Sequence, residues 1–268
     1  MMCLHATEYG QHLTTVEKPP LLILHGLFGS NRNWHPIARF LSTDRRVYTL
    51  DLPNHGQSAH TDVMDYPYMA EQVRHFIEHE IYLKSEHSQT PVDIIGHSMG
   101  GKVAMWLALN YPQQVNKLVV VDIAPVTYQH DFDHVLDAFD NVPLSQLKSR
   151  QDADHYLAQQ VSDKNLRQFL LQNLIHKEGQ YQWRLNLHVI QASIKSITGF
   201  PQCTTIKPFK QRVLFVGGAL SDYLSKENQQ LTRKCFPRAS FSMIKNAGHW
   251  LHAEQPELFK ALIKPYLL

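Results

Sequence analysis

The chain has 268 residues, 43% of them hydrophobic and 19% charged, and carries a formal net charge of +2. This is the composition of a folded globular protein, with too little charge to point to a nucleic-acid partner or a membrane surface. Its three cysteines, Cys3, Cys203 and Cys235, form no C-x-x-C pair. Neither a disulfide framework nor a zinc ribbon is therefore expected, and all three read as small apolar residues in a reducing compartment.

Residues 1–8 lack the basic flank and apolar stretch of a secretory leader, and no apolar run reaches membrane-spanning length, so a cytoplasmic protein is expected. Short apolar runs then recur along the chain, each ending in a polar turn. Residues 21–24 lead into His25-Gly26, 47–50 end at Asp51, and 92–95 end at Gly96. Residues 118–121 end at Asp122, 213–216 at Gly217-Gly218, and 241–244 precede Ala247-Gly248-His249. Each run is continuous rather than alternating, as strands buried on both faces of a parallel sheet require. Helical stretches lie between them. Residues 69–83 place apolar side chains at 69, 73, 76, 77 and 81, and 103–110 are stopped by Tyr111-Pro112. The fold class is α/β, a doubly wound and mostly parallel sheet flanked by helices. Residues 126–205 break the rhythm, being polar and helix-favouring with no buried-strand run. They predict a helical cap inserted into a core of residues 1–125 and 206–268, the alternative being a loop-rich extension of that core.

Gly96-His97-Ser98-Met99-Gly100 is a G-x-S-x-G between a strand and a helix. A serine on that sharp turn lifts its hydroxyl clear of the sheet, while the helix aims its free N–H groups at the same point. Ser98 is thus the candidate nucleophile. The turn His25-Gly26-Leu27-Phe28-Gly29 follows an earlier buried strand and offers the Leu27 N–H for an oxyanion, with the Met99 N–H as second donor. His249, after the last strand, is the candidate general base, and His252 its nearest rival among 17 histidines. The order serine, acid, histidine suits this fold. For the acid, Asp122 and Asp222 both follow core strands, and spacing does not separate them.

Five blocks carry a resemblance. His25-Gly-Leu-Phe-Gly-Ser30, Asn54-His55-Gly56-Gln57-Ser58, Gly96-His-Ser-Met-Gly-Gly-Lys102, Val121-Asp-Ile-Ala-Pro125 and Ala247-Gly-His-Trp-Leu-His-Ala253 resemble the α/β-hydrolase family. Within it they are similar to the bacterial YbfF-type esterases and the mitochondrial abhydrolase-domain-11 proteins. The resemblance runs from about Pro20 to the C-terminus and is weak across the cap, apart from residues 181–186. It implies Ser98 and His249 in the roles above and moves the acid to Asp122, which stands in the Asp-Ile-Ala-Pro block. Two departures stand out. Asp222 lies within Ser221-Asp222-Tyr223, where relatives typically lack the aspartate, and Pro53 replaces an arginine common in relatives. The implied activity is hydrolysis of short-acyl carboxylic esters, and of acyl thioesters such as acyl-CoA, with a small-molecule substrate as partner. The chemistry requires no cofactor and no metal.

Trp183 and Arg184 of the cap are candidates to line the substrate site. A non-catalytic ligand-binding protein on the same fold is the alternative from another class, though the intact serine, histidine and oxyanion turn speak against it. A cofactor-free perhydrolase would use the same triad, whereas a dehalogenase or epoxide hydrolase would need aspartate at position 98. His75-Phe76-Ile77-Glu78-His79 fits the zinc pattern H-x-x-E-H. Its polar residues are expected on a solvated helix face opposite Val73, Phe76, Ile77 and Ile81, so no metal site is expected there.

Overall fold

The computed structural model describes residues 4–13, 18–83, 90–129, 132–202 and 206–268. The strands are β1 (Ala6–Tyr9), β2 (Leu21–Leu24), β3 (Val47–Leu50), β4 (Val92–His97), β5 (Val115–Val121), β6 (Leu174–Lys177), β7 (Gln180–Trp183), β8 (Val213–Gly218) and β9 (Ala239–Ile244). Seven form one sheet in the order β1-β3-β2-β4-β5-β8-β9. Only β1 is antiparallel to its neighbour, and the rest of the sheet is parallel. The six apolar runs lie in β2, β3, β4, β5, β8 and β9. β1 is absent from the expected strands because Ala6-Thr7-Glu8-Tyr9 is a half-buried edge strand with no apolar run.

The helices are α1 (His35–Leu41), α2 (Tyr66–Phe76), α3 (Met99–Asn110), α4 (Asp133–Asp140), α5 (Arg150–Leu157), α6 (Lys164–Leu171), α7 (Leu187–Thr198), α8 (Lys226–Cys235), α9 (Leu251–Glu254) and α10 (Pro256–Leu267). They cover both faces of the sheet, which explains the unbroken apolar runs. Leu22, Leu24 and Ile94 pack on one face with α2 and α3, while Leu21, Ile23 and Ile95 pack on the other with α1 and α10. All six side chains have no solvent exposure. Each contributes roughly 1.5–3 kcal/mol by leaving water, which fixes the strand register that sets the loops above the sheet.

Four helices, α4 to α7, lie between β5 and β8, together with the hairpin β6–β7. The hairpin is absent from the helical expectation for this segment. Its four-residue strands are too short and exposed to give an apolar run, and its turn rests on Glu178 and Gly179, both at positive φ. The larger of the two apolar clusters continues from the sheet into this segment through Phe139, Leu157, Leu170, Leu174, Leu185 and Ile190.

Cys235 at the end of α8 is disulfide-bonded, so the expectation of three reduced, unlinked cysteines does not hold. Cys3 and Cys203 lie outside the described residues. Among the described residues no helix is long and apolar enough to cross a membrane.

Candidate active site

Ser98 sits where β4 turns into α3, with φ 50° and ψ −118°. A serine held in that conformation is strained, by about 1–3 kcal/mol, and persists because its surroundings fix it. Its N–H donates to the Val121 carbonyl at 3.0 Å, and its carbonyl accepts the Lys102 N–H at 3.1 Å. The flanking glycines make room for this turn. A Cβ on Gly96 would stand 2.4 Å from the Gly100 oxygen, and one on Gly100 would stand 2.5 Å from the His25 oxygen. The helix starts at Met99, directly after the nucleophile, where the G-x-S-x-G turn places it.

The loop ends of β4, β5 and β9 bring three predicted residues into a row. His249 Nε2 lies 3.0 Å from Ser98 Oγ, and His249 Nδ1 lies 2.8 Å from Asp122 Oδ2. Asp122 is fully buried at the end of β5, at φ 50°. It accepts the Gly218 N–H on Oδ1 at 3.0 Å and the Ser221 hydroxyl on Oδ2 at 2.5 Å. Asp222 is exposed, and the carboxylate at His249 is that of Asp122. His249 is further held by Tyr223, whose ring stacks on it at 4.3 Å, and by His97, whose Nε2–H donates to the His249 carbonyl at 2.9 Å. Burial pushes His97 well below the usual imidazole range, so it stays neutral beside His249. His252 instead stacks flat on Trp34 at 4.1 Å, where burial lowers its pKa to about 3.

Leu27 lies in a tight turn closed by the Gly29 N–H donating to the Gly26 carbonyl at 3.0 Å. Phe28, the next residue, has φ 60°, a value that glycine normally takes in such turns. Two buried histidines support the turn. His25 accepts the Leu52 N–H on Nε2 at 3.0 Å and so donates from Nδ1 to Gly26 O at 2.8 Å. His55 accepts the Phe28 N–H on Nε2 at 3.2 Å and donates from Nδ1 to Pro53 O at 2.9 Å. Burial lowers their pKa values to about 4 and about 3, which keeps both in the neutral form that these bonds demand.

Two cavities meet at Ser98. The smaller, about 30 Å³, is lined by Leu27, Ser98 and Met99 and ends at Tyr66, Lys102 and Tyr128. The larger, about 240 Å³, runs past His249 and Trp250 to Phe132, Val135, Leu166 and Phe169. Trp183 and Arg184 line neither. Trp183 Nε1 donates to the Phe139 carbonyl at 3.3 Å with its ring edge-on to Phe139, so it packs within the cap segment. Sequence reasoning did not single out Lys102, Ser221 or Tyr223. Ser221 and Tyr223 flank Asp222, whose carboxylate is the stronger local signal, and a lysine inside an apolar helix is the signal that marks Lys102. That amine is 1% exposed and donates to the carbonyls of Thr198 and Gly199, at 2.9 and 2.6 Å, at the end of α7.

His75, Glu78 and His79 bring donor atoms within 4.8 Å of one another. The face they share is not fully solvated as expected: of the three only His79 is exposed, and α2 continues here into a π-helical turn (Ile77–Tyr82). Glu78 is engaged by Arg74 and by Gln114 Nε2, and His75 Nε2 faces Glu71 at 3.2 Å.

Comparison with known proteins adds an independent line. A family profile described as alpha/beta hydrolase fold matches residues 19–256. The chain is 41% identical over 268 residues to a protein of Xenopus laevis named sn-1-specific diacylglycerol lipase ABHD11, covering 95% of this chain and 83% of that one. It is 34% identical over 262 residues to Esterase YbfF of Escherichia coli, covering 97% and 96% of the two chains. A solved structure titled marine microorganism esterase superposes with a TM-score of 0.90 at 37% identity, covering both chains in full.

Proposed function

The chain belongs to the alpha/beta hydrolase fold family and is a carboxylic ester hydrolase, and on that premise we propose that it works through an acyl-enzyme on Ser98. The observation that supports this reading best is the unbroken row from Ser98 Oγ through His249 to Asp122. His249 Nε2 takes the hydroxyl proton as Ser98 Oγ bonds to the ester carbonyl carbon. The resulting oxyanion is received by the N–H groups of Leu27 and Met99, and Asp122 stabilises the imidazolium. His249 returns the proton to the departing alkoxide. A water deprotonated by the same imidazole then releases the acid and frees Ser98.

In this proposal the smaller cavity takes the acyl group, which favours short chains. The larger apolar cavity takes the alcohol, or the thiol of an acyl thioester such as acyl-CoA. Residues 126–205 act as a cap over the strand ends, supplying Phe132, Val135, Leu166 and Phe169 to that larger cavity. A panel of p-nitrophenyl esters and acyl-CoA thioesters of increasing acyl length tests the reading against wild type and Ser98→Ala. Activity highest on short acyl groups and abolished in Ser98→Ala is expected. Full activity in Ser98→Ala would overturn the acyl-enzyme, and a preference for long acyl groups would overturn the assignment of the small cavity.

A further inference from the structure

Phe28 follows the proposed oxyanion donor Leu27, and its backbone is held in a conformation that an aromatic residue rarely adopts. A positive φ at the third position of the Gly26–Gly29 turn is normally left to glycine, and other residues relieve it by flipping the preceding peptide. Phe28 is held in this conformation through both of its peptides. On the preceding one, whose flip would relieve it, His55 Nε2 from the core takes the Phe28 N–H at 3.2 Å. On the following one, Asn173 Nδ2 from the segment between β5 and β8 donates to the Phe28 carbonyl at 2.8 Å, which fixes ψ of Phe28 where the turn closes on Gly29.

Asn173 is built for this contact. It is 3% exposed, and its amide also donates to the Leu170 carbonyl at 3.2 Å, while its own carbonyl accepts the Arg184 N–H at 2.9 Å at the foot of the β6–β7 hairpin. Its neighbour Gln172 accepts from Asn33 Nδ2 at 2.7 Å, which ties the same stretch to the core a second time. Phe132 and Phe139, from the same segment, pack on the Phe28 ring with centroids at 6.2 and 5.4 Å.

We propose that Asn173 is a positioning residue for the reaction: from the cap it holds the Phe28 carbonyl, and through the closed Gly26–Gly29 turn the Leu27 N–H, in the orientation that receives the oxyanion. The inference rests on the acyl-enzyme reading above. It makes the cap part of the scaffold of the oxyanion hole, in addition to its part in enclosing substrate. Binding of the ground-state ester depends on the cavities and is left intact, so the contact acts on the transition state.

The test is Asn173→Asp, which keeps the shape and removes the N–H donors, measured on p-nitrophenyl acetate together with the rate of fluorophosphonate labelling of Ser98. The expected result is a fall in kcat of about 10- to 100-fold, KM within about twofold, and labelling slowed in parallel, because both reactions place charge on the same oxygen. The shape of the pH–rate profile stays as it is in wild type. Asn173→Ala, scored in the same way, serves if the carboxylate prevents folding. A folded variant with unchanged kcat, or with a loss confined to KM, overturns the proposal. Wild-type protein that neither hydrolyses the ester nor takes the label would instead count against the acyl-enzyme itself.

Discussion

Each contact in the row of Ser98, His249 and Asp122 sets the next one. Asp122 accepts from Gly218, Ser221 and His249 together, so its carboxylate is aimed before substrate arrives. Asp122→Asn would favour the wrong tautomer of His249 and should lower kcat about 10⁴-fold on a short ester, whereas Asp222→Asn should leave it near wild type. The reverse ranking in steady-state kinetics would transfer the acid role to Asp222. Ser221→Ala removes one charge-assisted donor and should cost about tenfold in kcat, with Asp122 still in place. The two aspartates could not be told apart by spacing because both follow strands at the same edge of the sheet. What distinguishes them is direction and burial: Asp122 is fully buried beneath His249, and Asp222 faces water.

Among the elements, α3 does most to join the site to the rest of the fold. Its first turn packs so closely on the end of β2 that Gly100→Ala would put a Cβ 2.5 Å from the His25 oxygen and 2.6 Å from the Leu24 oxygen. Both obstacles are backbone, and a loss of about 1–3 kcal/mol in urea unfolding is expected. One turn on, Lys102 reaches the end of α7 and lies over the Tyr128 ring at 4.8 Å. Burial lowers its pKa to about 7. Between that value and the ordinary 10.5 the unfolded chain holds more protons than the folded one, so raising the pH through this window stabilises the native protein. Wild type should therefore gain on Lys102→Met in urea midpoint between pH 7 and 9.5. Parallel pH profiles for the two proteins would show that the amine is charged throughout.

For the molecule as a whole, the most legible features were those that depend on burying continuous apolar runs. Six of the seven sheet strands and the Ser98 turn announce themselves because burial on both faces leaves no polar alternation. The edge strand β1 and the hairpin β6–β7 did not, since their stability comes from partners and not from their own composition. The buried histidines were also hidden, because nothing local in His55 or His252 distinguishes a core imidazole from a solvated one. Together they set the acid limit of the fold. His25, His55 and His252 have folded pKa values of about 4, 3 and 3, below the usual 6.5 of the unfolded chain. Their stabilising contribution is present above pH 6.5 and is lost as the pH falls towards those values, at up to about 1.4 kcal/mol per pH unit for each. Urea midpoints should drop steeply between pH 6.5 and 4, and His252→Phe should flatten that slope while keeping the stack on Trp34. An unchanged slope would assign the acid sensitivity to other groups.

The two unequal cavities that meet at Ser98 have a consequence for constitutional isomers. An ester places its acyl and alcohol halves on opposite sides of the carbonyl, and exchanging their sizes gives an isomer of the same formula. With about 30 Å³ for the acyl half and about 240 Å³ for the alcohol, only the isomer with the small acid fits while its carbonyl faces Leu27 and Met99. Hexyl acetate should therefore be consumed before ethyl hexanoate in an equimolar mixture, and gas chromatography of the residual esters would show it.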